Sequence, residues 1–165
     1  MKEALRQQFG AAIDALAAAV RACPDVEWVA GERWHQPWYI AYHTVFWLDY
    51  YLAEADPAYR PPAPFTLGEL EADAFPEHEA TRAELLEWLQ SCRAALAARL
   101  STLPEDGTEG RPCRLGWGTV GAVELLLYNL RHVQHHTGQL NLLVRRSGHA
   151  PPPWILRADG LGRTG

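Results

Sequence analysis

The chain has 165 residues, 48% of them hydrophobic and 21% charged, with seven Trp, which excludes a disordered or collagen-like polymer and gives enough apolar material for one core without staples. Its net charge of −5 is uneven: residues 1–110 carry 8 Lys/Arg against 18 Asp/Glu, and residues 111–165 carry 7 against 2. The basic third is diffuse and includes Arg145 and Arg146, placed where a helix C-terminus favours cations, so nucleic acid is not an expected partner.

Residues 2–22 combine strong helix formers with apolar positions Leu5, Phe9, Ile13, Leu16 and Val20, spaced by three or four, and predict a first helix stopped by Cys23-Pro24. Pro37 suits a first helical turn and opens a second helix over about 37–54, rich in aromatics and ending before Asp56-Pro57. Residues 55–66 contain four prolines and read as loop, with a short helical turn possible in the TLGELEADAF stretch. A third helix spans about 77–102, and Thr81 with Glu84 has capping-box spacing that would mark its true start. EDGTEGRP is loop. The fourth helix covers about 119–147, closed by Ser147-Gly148, and the glycine-ended tail reads as mobile. Hardly any strand is expected. The pattern predicts an all-α fold, an antiparallel four-helix bundle over residues 1–150 with a long connection between helices 2 and 3, followed by a tail at 151–165.

No window approaches 18 uncharged apolar residues, so no membrane span is expected. MKEALRQQFG passes straight into an amphipathic pattern, and three Cys lack CxxC spacing, so a cytoplasmic protein without a disulfide framework or thiolate zinc site is expected.

The chemistry concentrates in Asn129-Leu130-Arg131-His132-Val133-Gln134-His135-His136-Thr137-Gly138-Gln139. On a helix His132 and His136 lie one turn apart and about 40° apart in azimuth, a spacing at which two imidazoles can share one metal ion. Their arc also holds Leu125, Tyr128, Asn129, Gln139, Leu140 and Leu143. His43 is likewise a polar residue in an apolar, aromatic stripe with Tyr39, Ile40, Phe46, Trp47 and Tyr50. Bundles build metal sites from such inward-facing residues, and one His opposite an i, i+4 pair leaves coordination positions open. The rival reading is that these histidines are surface residues or satisfied core residues. Tyr39, Trp47, Tyr50, Tyr128, Asn129, His135 and Gln139 are the candidates for lining the pocket or orienting the ligands. Glu54 shares His43's face but lies roughly 16 Å along the axis. No nucleophile–base relay is legible, so catalytic residues are not assigned.

The string HVQHHTGQ at 132–139, with PWYIAYHTVFWLDYYL at 37–52, resembles the DinB/YfiT-like superfamily of metal-binding four-helix bundles. That resemblance implies a metal triad of His43, His132 and His136, from one histidine on the second helix and an HxxxHxGQ-type motif on the fourth. Many members carry Arg before the Gly-Gln, where this chain has Thr137. The resemblance further implies metal-dependent chemistry of low-molecular-weight thiols, since relatives include mycothiol-dependent maleylpyruvate isomerases and thiol S-transferases. Imidazole ligation suits zinc, nickel or iron(II). A small-molecule substrate and a thiol co-substrate are therefore expected, with a metal-dependent hydrolase, or a non-catalytic bundle whose metal is structural and which binds a small ligand or a partner, as alternatives. Leu126, Leu127, Leu130, Val133 and Leu142 make the fourth helix apolar nearly all round, which suggests a central position in the bundle or a homodimer.

Overall fold

Helix α1, Lys2–Ala22, ends where Cys23 turns to extended backbone ahead of Pro24. A computed structural model describes residues 1–104 and 112–158; the EDGTEGRP loop except Pro112, and the last seven residues of the tail, lie outside the described residues. After α1 come the short α2, Asp25–Trp28, and then α3, Pro37–Leu52, which starts with proline in its first turn. The second predicted helix stops two residues short of its expected end because Glu54 and Ala55 adopt left-handed backbone, φ 59° and 55°. Glu54 is held there by an ion pair with Arg99.

Helix α4, Arg82–Thr102, starts later than the predicted position 77, at the capping box itself: the Thr81 hydroxyl accepts from the Glu84 N–H, and the Glu84 carboxylate accepts from the Thr81 N–H at 2.8 Å. A small hairpin, β1 (Cys113–Leu115) and β2 (Gly118–Val120), then pairs Cys113 with Val120. It takes residues 119 and 120, which the helical pattern had claimed, so the last helix, α5, is Ala122–Arg146. The strand pairing relies on a two-residue Gly116-Trp117 connection rather than on any apolar alternation.

The fold is all-α apart from this hairpin, as expected. The four long helices pack in a ring, with α1 and α3 on opposite corners and α4 and α5 on the others. Arg82 donates to the Cys23 carbonyl at the end of α1, while Arg93, farther along α4, pairs with Asp14 earlier on α1, so these two helices are antiparallel. The same holds for α3 and α5, where His43 faces His132 while the Leu48 carbonyl, one turn on, accepts from Asn129. In contrast, α3 and α4 run in the same direction: Phe46 meets Trp88, and Glu54 meets Arg99. Parallel neighbours need a connection that travels back along the bundle, which is the role of residues 53–81.

That connection is nailed to the helices by aromatic rings. Phe65 stacks on Trp88 with centroids 4.8 Å apart, and Phe75 packs on Tyr39 at 4.9 Å. Asp49 accepts hydrogen bonds from the Tyr59 hydroxyl at 3.0 Å and the Trp88 indole at 2.8 Å. The core beneath includes Phe9, Ile13, Leu16, Tyr42, Phe46, Leu85, Leu89, Leu126, Val133 and Leu140. Residues 151–158 lie back against α1, where the Ala158 N–H donates to the Gln7 carbonyl at 3.2 Å. Among the described residues no helix is long and apolar enough to cross a membrane.

Candidate metal centre

The seam between α3 and α5 holds the three histidines. Asn129, fully buried, donates its side-chain N–H to the Leu48 carbonyl at 3.0 Å and ties the two helices together one turn from His132. Antiparallel packing then sets His43 opposite the His132/His136 pair. Ring centroids of His43 lie 5.2 Å from His132 and 4.7 Å from His136, and the pair themselves are 4.5 Å apart. One ring nitrogen from each lies within 4.8 Å of the other two, so the three could hold a metal ion.

The outer nitrogens decide which atoms face inward. His43 Nδ1 lies 2.5 Å from Glu69 Oε1, and His136 Nδ1 lies 2.6 Å from Gln139 Oε1. Both acceptors call for a proton on Nδ1, which leaves the Nε2 lone pair of each ring directed away from its partner. His132 Nε2 approaches His43 Nε2 at 3.3 Å, while its own Nδ1 is buried without a hydrogen-bond partner. Two nitrogens on a tetrahedral zinc, each about 2.0–2.1 Å from it, are about 3.3–3.4 Å apart. The close approach of the two Nε2 atoms therefore fits a cation between them. Without one, the two Nε2 atoms either share a proton in a 3.3 Å hydrogen bond or turn lone pair toward lone pair; the His132 Nδ1 lacks a partner in each of these states.

Electrostatics keep these rings in the form a metal needs. Burial, reinforced by the neighbouring imidazoles His136, His43 and His135, lowers the His132 pKa to about 3. Burial also lowers that of His136 to about 4, against an opposing contribution from Gln139. Both are neutral donors at physiological pH.

The remaining predicted residues divide. Gln139 accepts from His136, and Tyr39 donates its hydroxyl to Glu69 Oε1 at 3.2 Å. Burial, followed by the Glu69 charge, raises the Tyr39 pKa, so its phenol stays protonated. Trp47 stands 6.3 Å from His43, and His135 4.9 Å from His136, ring to ring. Tyr50 instead packs on Phe46 and Tyr59, and Tyr128 joins Tyr51 and Trp117 at the hairpin. Tyr128 does share a surface groove with Arg131, His132 and His135. Farther along α5, Gln139, Leu142 and Leu143 form a second groove with Pro37, Ile40, Glu27 and Arg146. Thr137, which departs from the expected motif, is buried and donates to the Val133 carbonyl within its own helix.

Glu69 was missing from the sequence-based set. It sits on a 3-10 turn, Leu67–Leu70, in the long connection, where Thr66 caps the turn by accepting from the Gly68 N–H. Nothing in the periodicity of that loop points at a histidine on another element. Its only sequence signal is an acidic residue on a short helical turn between two proline-rich stretches.

A sequence profile of the DinB superfamily matches residues 8–140, which takes in most of α1, all of α3 and α4, the hairpin and the histidine-bearing part of α5. No curated protein matches the chain.

Proposed function

From the premise that this chain belongs to the DinB superfamily, we propose that it is a divalent-metal-dependent enzyme acting on small molecules, of the low-molecular-weight-thiol S-transferase or isomerase type. His43, His132 and His136 are the metal ligands, through Nε2. The observation that carries this reading is the convergence of three imidazoles, two of them already oriented by an acceptor on the outer nitrogen. Neutral imidazoles suit zinc, nickel or iron(II). A bound ion of this kind supplies Lewis acidity, which lowers the pKa of a thiol or water and polarises an electrophile.

The chain's own contribution is geometric. Glu69 and Gln139 hold protons on His43 and His136, Asn129 fixes the helix register, and the rings of Trp47 and Tyr39 flank His43. The two grooves on either side along α5 give room for a small-molecule substrate and a thiol co-substrate.

Metal analysis of the purified protein beside its His43→Ala, His132→Ala and His136→Ala variants tests the ligand set; retention of metal by all three overturns it. A panel of thiols and electrophiles then tests the activity. Turnover of substrate with water alone, and none with any thiol, replaces the transferase with a hydrolase. A melting temperature that collapses in His43→Ala together with metal loss would make the ion structural.

A homodimer is the second part of this proposal, favoured by Leu127 and Leu142, which α5 leaves 48% and 55% exposed. Light scattering that finds a monomer at micromolar concentration retires it.

A further inference from the structure

The long connection does more than return the chain to the other end of the bundle. It delivers one carboxylate, Glu69, into the aromatic shell around His43. The Glu69 side chain is only 4% exposed, a costly position for a charge unless something depends on it. Among the described residues its hydrogen-bond partners are His43 Nδ1 and the Tyr39 hydroxyl, both on Oε1, and His43 is the only basic group with which it forms an ion pair. Oε2 is buried and has no partner. A loop that needed only an anchor would satisfy both oxygens, and the rings of Phe65 and Phe75 already anchor this one.

We propose that Glu69 is a positioning residue for the metal site: by accepting the Nδ1 proton of His43 it fixes that ring's tautomer and orientation, raises the basicity of Nε2, and supplies a buried negative charge against the cation. The proposal rests on the metal-binding reading above. Histidine ligands commonly depend on such an outer acceptor, and loss of one weakens metal binding by about 10–100-fold. Here the other two ligands have less support. His136 is backed by a neutral amide and His132 by nothing on Nδ1, so the charged acceptor on His43 is the one with most to contribute.

The test uses the full chain, zinc, and a competing chelator to obtain dissociation constants for the wild type, Glu69→Ala and Glu69→Gln. Cobalt(II) absorption spectra are recorded at saturation, and melting temperatures are measured in EDTA. The expected order of zinc affinity is wild type, then Glu69→Gln, which keeps an acceptor but loses the charge, then Glu69→Ala at about 10–100-fold weaker than wild type. The cobalt bands should shift in both variants, while the melting temperatures in EDTA change little. Should Glu69→Ala fail to fold, Glu69→Gln carries the comparison with its intermediate affinity and shifted cobalt bands. Zinc affinities within twofold of wild type in both variants, with His43→Ala unable to bind, overturn the role of Glu69 and leave the metal site standing. A fall in the EDTA melting temperature without a change in zinc affinity gives Glu69 a purely structural role and overturns the proposal equally. A wild type that binds no zinc or cobalt removes the metal reading itself.

Discussion

Replacing His132 by Leu should make the metal-free protein more stable while destroying its response to metal. The imidazole has one nitrogen 3.3 Å from another imidazole nitrogen and the other buried without a partner. An unsatisfied buried polar atom costs about 1–3 kcal/mol, and leucine fills a similar volume without that penalty. Against this, His43 Nε2 loses its neighbour. The His43 side chain is 26% exposed, however, so water can replace what is lost. The net expectation is a gain of about 1 kcal/mol in EDTA, or roughly 2–4 °C in melting temperature for a chain of this length. Zinc acts on the wild type alone. At a free concentration about a hundred times its Kd it adds about 2.7 kcal/mol, or roughly 5–10 °C. The two melting curves should therefore change places: the variant above the wild type in EDTA, below it in zinc. Calorimetry or dye-based melting in both buffers decides it. A variant less stable than the wild type in EDTA would refute the argument, because it would mean that the imidazole is satisfied without an ion.

Thr81→Ala removes half of the α4 capping box and should cost about 0.5–2 kcal/mol by urea denaturation at neutral pH. Hydrogen bonds from Thr81, first its N–H and then its hydroxyl, hold the Glu84 carboxyl below its ordinary value of 4.5, so their contribution is present above that pH and fades as the pH falls through the lowered pKa. Thr81→Ala keeps the N–H, and only the share of its deficit that the hydroxyl's bond to Glu84 carries should shrink in acid. All three cysteines are buried thiols, and burial pushes the Cys23 and Cys92 thiols up, so a thiol reagent should label none of them rapidly until the protein is denatured. A Cβ on Gly10 would sit 2.6 Å from that of Ala158, so Gly10→Ala should release the C-terminal tail, seen as faster proteolysis there. The same change adds up to about 1 kcal/mol to α1 through helix propensity, which keeps the bundle itself stable.

The parts of the site that lie on helices were legible because a helix converts spacing into direction. His132 and His136 share an arc, Gln139 stands three residues beyond His136 and reaches its ring, and Asn129 precedes His132 by one turn. The opposing stripe on α3 nominated His43 for the same reason. Azimuth says which side a residue faces but not how far along the axis it sits: Tyr50 packs on Phe46, Tyr59 and Trp47, and Tyr128 joins Tyr51 while sharing a groove with His132 and His135. Glu69 was invisible because a loop has no period, and its proximity to His43 depends on the whole path of residues 53–81. The hairpin at 113–120 was missed because strands of three residues are too short to alternate. The direction of α4 relative to α3 was hidden as well; a long connection permits either sense, and contacts such as Glu54 with Arg99 settle it.

The antiparallel meeting of α3 and α5 has a kinetic side. His43 and His132 are 89 positions apart in the chain, so the pocket closes only when the last helix docks on a body built from residues far upstream. Closing so large a ring is entropically expensive in the unfolded chain, and the expense grows only slowly with further length. A group that bridges the two histidines would act as a removable clasp on that ring, slowing its reopening in the way a cross-link does. The residue pair that gathers the chemistry is thus also a point at which distant stretches of the chain are joined.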